Sequence, residues 1–167
     1  MSFLTLDSKD GVQITISREA ARFSEVMKDM MEALPEEECD LPVPITEIDA
    51  ATLTKVVEWC EHHREDKEEG EVFDIKTLPP FEKQFLDLSQ ADLSNLVYAA
   101  NFLGIELLFE YSCEAIAQRI KDMTTEQMRE YFGIVNDFTQ EEIDEILKLD
   151  GWAEEFGDEV PSEHSHC

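Results

Sequence analysis

With 40 acidic residues against 13 Lys and Arg in 167, the chain carries a formal charge of −27. Nucleic acid and anionic membrane surfaces are poor partners for it, because both are gripped by Lys and Arg that displace counterions. Its 43% hydrophobic residues suffice for a core, so the length corresponds to one domain, or one domain with an appendage.

The acidity serves solubility through self-repulsion, and beyond that it can complement a basic partner. Cys39, Cys60, Cys113 and Cys167 have no paired spacing, and no signal peptide or apolar run of membrane-spanning length is apparent. The expectation is a soluble protein of the cytoplasm and nucleus, with its thiols free.

In chain order, "FLTL" and "VQITI" alternate as strands do, and "DSKDG" between them closes a hairpin. Ser17 is placed to cap a helix running to about Leu34, with Ala20, Phe23, Met27, Met30 and Leu34 at helical spacing. "PVPITEI" reads as a short strand whose two prolines confine it to an edge or a strand start. A strongly periodic helix covers Ala50 to about His63, with Leu53, Val56, Val57 and Cys60 on one face. Residues 64–80 form an acidic flexible loop that opens with "REDKEEGE".

After Pro79 and Pro80, Phe81 to Leu88 fits a short helix. Ser89 caps another that carries Leu93, Leu96, Val97, Ala100 and Leu103 and ends at Gly104. The next helix has apolar residues on two arcs. Leu107, Leu108, Tyr111 and Ala115 form one; Phe109, Cys113, Ile116, Ala117 and Ile120 form the other. A surface helix of a small domain needs only one stripe, so the second is left to be explained.

Past Asp122 come two short helices, each opened by a capping box: Thr124 with Gln127, and Thr139 with Glu142. The first stops at Gly133 and the second near Gly151. Neither is long enough to be stable alone. Residues 154–167 have the composition of a disordered tail. The order of elements gives an α+β chain, a small sheet at one end and helices at the other.

No catalytic constellation emerges. The six glycines form no phosphate loop after a strand, and in so acidic a chain any two carboxylates could be paired on paper. Cys60, His62 and His63 follow one another too closely to converge on one metal from a helix; they read as cationic-capable residues near a helix's negative end. His164, His166 and Cys167 could chelate only adventitiously. "DSKDG" fails as a calcium loop, with Lys9 where an oxygen ligand belongs and Arg18 where a Glu should stand. The chain is expected to be no enzyme and to need no cofactor.

"PVPITEIDAATLTKVVEWCEHH", "LVYAANFLGIELL", "FGIVNDFTQEEIDEI" and the closing "DGW" resemble, in order and spacing, the Skp-type adaptor subunit of SCF ubiquitin ligases, up to about Trp152. The resemblance implies a BTB/POZ fold, a small three-stranded sheet flanked by helices, over residues 1–121. It implies F-box-binding helices over 122–153. Such adaptors join a cullin scaffold to interchangeable F-box substrate receptors, and through the cullin's RING partner bring a bound substrate to an E2 enzyme.

Carried over by position, Asn101 and Phe102 would face the cullin. Phe109, Cys113, Ile116, Ile120, Phe132, Ile134, Phe138 and Trp152 would receive the F-box. Three departures stand out. Phe102 occupies a position where the family usually has Tyr, so a hydroxyl is missing; the charged insert is short; and Thr125 replaces a common proline. An elongin C-like adaptor is a competing reading that lacks the unit after Asp122. An F-box-binding subunit of an assembly without a cullin is another, and Phe102 is the residue on which it turns. Homodimerisation of the unpartnered chain is also anticipated from the BTB fold.

Overall fold

The computed structural model describes residues 2–34, 41–66 and 77–149. β1 (Phe3–Ser8) and β2 (Gln13–Ser17) form the expected hairpin, with Leu4 opposite Ile16 and Leu6 opposite Ile14. Gly11 closes the turn at φ +76°, a conformation open to glycine at little cost. β3 (Val43–Ile45) joins the other side of β1 in parallel, so the sheet order is β2-β1-β3. Pro44 therefore lies on an edge strand, where a missing N–H is tolerated.

The single helix expected from Ser17 to Leu34 is two helices, α1 (Arg18–Ala21) and α2 (Glu25–Ala33). Ser24 makes the break. Its hydroxyl donates to the Leu103 carbonyl and accepts the Met27 N–H at 3.2 Å, while the Glu25 N–H donates to the Gly104 carbonyl at 3.3 Å. A serine that satisfies both its own helix start and a distant carbonyl outcompetes continuation of α1.

α3 (Ala50–His62) is capped twice. The Asp49 carboxylate accepts the Thr52 N–H at 2.8 Å, and the Asp10 carboxylate, from the hairpin turn, accepts the Ala50 N–H at 2.7 Å. α4 is shorter than expected, Pro80–Phe85, and opens with Pro80 in the first helical position. Residues 86–88 are instead the connection to Ser89, which caps α5 (Gln90–Leu103) through the Asp92 N–H. α5 ends at Gly104, φ +65°, and α6 (Glu106–Ile120) follows at once.

The core lies where the sheet meets α3, α5 and α6. Leu4, Leu6, Ile16, Leu53, Val56, Trp59, Leu93, Leu96, Leu108 and Tyr111 are all fully enclosed. Each such apolar side chain contributes about 1.5–3 kcal/mol relative to leaving it in water. This is the small sheet and flanking helices of a BTB/POZ-like α+β fold.

The chain divides into two compact units, the first ending at Met123 and the second beginning at Thr124. The second contains α7 (Thr125–Phe132) and α8 (Gln140–Leu149). Both capping boxes form: Thr124 and Gln127 exchange hydrogen bonds of 2.9 and 3.3 Å, and Thr139 and Glu142 exchange bonds of 2.8 and 3.3 Å.

Candidate functional site

The second unit carries much apolar surface that its own fold does not cover. Neither α7 nor α8 contains a buried residue. Gly133 at φ +66° ends α7 and turns the chain into an extended connection, along which Ile134 is 60% exposed, Val135 81% and Phe138 52%. Phe132 is exposed at the end of α7, and Ile146, Leu147 and Leu149 are exposed on α8. Val135 and the α8 residues were not among the positions expected from sequence. Ile143, Ile146 and Leu147, at helical spacing, were the signal for α8. Trp152 and the proposed tail lie outside the described residues.

On α6 the two arcs separate. Leu108, Tyr111, Ser112 and Ala115 are enclosed, with Leu107 half-buried beside them. Phe109, Cys113, Ile116 and Ile120 are half-buried; Phe109 and Ile116 rest against the core with one flank open. The Cys113 thiol is raised above its ordinary pKa, first by burial and then by Glu110, which makes it a weakly reactive apolar surface group.

On α5, Asn101 and Phe102 are exposed. Tyr98 stands one turn earlier, its ring parallel to that of Phe102 within 17° at a centroid distance of 6.4 Å. Its hydroxyl donates to the Glu47 carboxylate at 3.4 Å. Tyr98 was not among the expected site residues; its i, i+4 relation to Phe102 was the available clue.

The histidine cluster has a structural explanation more specific than a helix end. His63 lies between two carboxylates, with Nδ1 2.5 Å from Asp66 and Nε2 2.6 Å from Glu82. Glu82 is 2% exposed. That second contact has the distance of an ion pair without the alignment of a good hydrogen bond. His62 stacks on Phe81 with ring centroids 3.5 Å apart. These contacts fasten α4 to the end of α3, and the Arg119 guanidinium on the Leu86 carbonyl fastens it to α6. Cys60 is buried and its thiol is pushed up to about 12, by desolvation first and Glu61 second. Among the described residues no group of three or more His, Cys, Asp or Glu could hold a metal.

Residues 2–65 match the family model described as Skp1 family, tetramerisation domain, and residues 106–153 match that described as Skp1 family, dimerisation domain. The E3 ubiquitin ligase complex SCF subunit sconC of Arthroderma benhamiae is 37% identical over 158 residues, covering 91% of this chain and 95% of its own. The protein of the same description from Aspergillus fumigatus is 38% identical over 160 residues, covering 93% and 100%. That from Talaromyces marneffei is 38% identical over 157 residues, covering 91% and 97%. Matches at both ends, with relatives aligned along nearly their whole length, admit one conclusion: the chain belongs to the Skp1 family.

Proposed function

We propose that the chain is the non-catalytic adaptor of an SCF-type E3 ubiquitin ligase. One side of it, carrying Asn101 and Phe102 on α5, docks on a cullin. The second arc of α6, together with the apolar residues of the C-terminal unit, receives the F-box of a substrate receptor. The receptor's substrate is thereby brought toward an E2 enzyme held by the cullin's RING partner, in the cytoplasm and nucleus. The observation that carries this reading is the exposure of Phe132, Ile134 and Phe138 in a unit whose two helices, α7 and α8, contain no buried residue. Clusters of that kind mark partner surfaces, and a partner helix can supply the missing packing. The relatives' description as SCF subunits supports it.

The test is a pull-down with an F-box peptide and, separately, with a cullin N-terminal domain. Phe138→Ala and Trp152→Ala should each weaken F-box capture by a factor of thirty or more, the usual penalty for an interface-centre aromatic, and leave cullin capture intact. Asn101→Lys with Phe102→Lys should do the reverse. Normal F-box capture by Phe138→Ala and Trp152→Ala together would remove the C-terminal surface from the proposal. A second reading, an F-box-binding subunit of an assembly without a cullin, is favoured by Phe102, which lacks the hydroxyl usual there. Failure of the unmodified chain to hold any cullin, with F-box capture retained, would select it. The elongin C-like alternative has no use for α7 and α8.

A further inference from the structure

The exposed side of α5 is wider than Asn101 and Phe102. At about 100° per residue, Ala91, Asn95, Tyr98, Asn101 and Phe102 fall within an arc of about 120°, and all five are exposed. The enclosed residues Leu93, Leu96, Ala99, Ala100 and Leu103 occupy the opposite side. Near the middle of the exposed arc stands Tyr98, 53% exposed and the larger target of the aromatic pair. Two parallel rings left in water on a helix already anchored by its other side contribute little to the fold.

Beside Tyr98 lies an open hollow walled by Lys9, Asp10, Glu47, Asp49 and Asn95. Asp10 and Asp49 are occupied in capping α3. Glu47 carries the phenol at 3.4 Å, a long bond that a better donor would replace. The phenol of the aromatic pair stands four residues before Phe102 on the same face, about 6 Å earlier along the helix.

We propose that Tyr98 is a further contact residue for the cullin, and that with Glu47 it receives an arginine from a helix of the cullin's N-terminal domain. The proposal rests on the cullin-binding reading of this face. A guanidinium fits the place better than an ammonium. It is planar, so it lies over the phenol ring while its N–H groups reach the Glu47 carboxylate. The sign of charge agrees: three carboxylates and one ammonium wall the hollow, on a chain of net charge −27. The ring of Tyr98 supplies the stacking surface of this contact and the Glu47 carboxylate its polar anchor.

The test measures binding of the full chain to a recombinant cullin N-terminal domain at two salt concentrations, with an F-box peptide as the parallel ligand. Tyr98→Ala should weaken cullin binding at least tenfold and leave F-box binding unchanged. Tyr98→Phe, which keeps the ring, should retain most of the affinity, and Glu47→Gln should slow association and flatten its salt dependence. Replacing the arginines of the cullin helices one at a time should reveal one whose loss is non-additive with Tyr98→Ala. If Asn101→Lys with Phe102→Lys abolishes binding while Tyr98→Ala binds normally, or if no arginine couples to Tyr98, this inference falls and the cullin-binding reading survives. If the unmodified chain binds the F-box peptide and no cullin, both fall.

Discussion

The two units of this chain use apolar residues in opposite ways. In the first, Trp59, Leu53, Leu96, Leu108 and Tyr111 are enclosed by one another and by the sheet. In the second, two well-capped helices and the connection between them expose Phe132, Ile134, Phe138, Ile146, Leu147 and Leu149. The caps are local hydrogen bonds that fix where α7 and α8 begin, and they bury almost nothing. Secondary structure is thus specified in both units, but among the described residues the fully buried apolar side chains all belong to the first.

That contrast is broken most forcefully at Trp59. Trp59→Ala should cost about 3–5 kcal/mol through lost contacts and the cavity left behind, read from the midpoint of urea unfolding. Phe138→Ala should move the same midpoint by less than about 0.5 kcal/mol. A large shift for Phe138→Ala would mean that the C-terminal apolar residues are ordinary core.

The next largest effect belongs to the contact of His63 with Glu82 behind α4. His63→Ala leaves the Glu82 carboxyl, 2% exposed, buried without the imidazole that faces it, at a cost of about 1–3 kcal/mol. The double variant His63→Gln with Glu82→Gln should recover part of that loss, because no charge then stays buried. Equal losses for the single and double variants would show that packing against Trp59 and Phe81, not charge, is what His63 supplies.

Hydrogen exchange sharpens the contrast without a mutation. Amides of α7 and α8 should exchange far sooner than those of α3 and α5, and should gain protection on adding an F-box peptide, since local openings follow the buried contacts available. Unchanged exchange on binding would detach these helices from partner recognition.

The smallest effect lies in acid. The Asp10 carboxyl is held below its ordinary value of 3.8, first by the Ser8 hydroxyl and then by the Ala50 N–H. A carboxylate depressed in the folded state adds stability that is present above its unfolded pKa and lost as pH falls through the folded one. Asp10→Asn should therefore remove a slight stabilisation at neutral pH and flatten the pH dependence below about 4. An unchanged acid limb would show that the cap on α3 is carried by Asp49 alone.

Much of the fold was legible because its signals are local. The Asp-Gly turn, the serine and threonine caps, and Gly104 and Gly133 at helix ends each act over a few residues. The break at Ser24 was not legible, since its cause is a carbonyl 79 residues away. The partner of His63 was hidden for the same reason, as Glu82 arrives only when α4 folds back onto α3. At the candidate site the two arcs of α6 could be separated from periodicity, because one had to face the core. Tyr98 carried no signal in the sequence beyond its place four residues before Phe102, because an exposed tyrosine has no periodic signature of its own.

Gly104 ends α5, the helix proposed to face a cullin, and α6, proposed to receive an F-box, begins two residues later. A methyl group there would come within 2.9 Å of the Glu25 side chain, on a backbone already at φ +65°. The corner between the two helices is therefore fixed by close fit against α2, with no slack for a side chain. In an assembled ligase that corner would act as a gauge, setting how far a receptor's cargo stands from the scaffold. Gly104→Ala should leave each partner able to bind singly, yet change the yield and position of ubiquitin transfer when both are present.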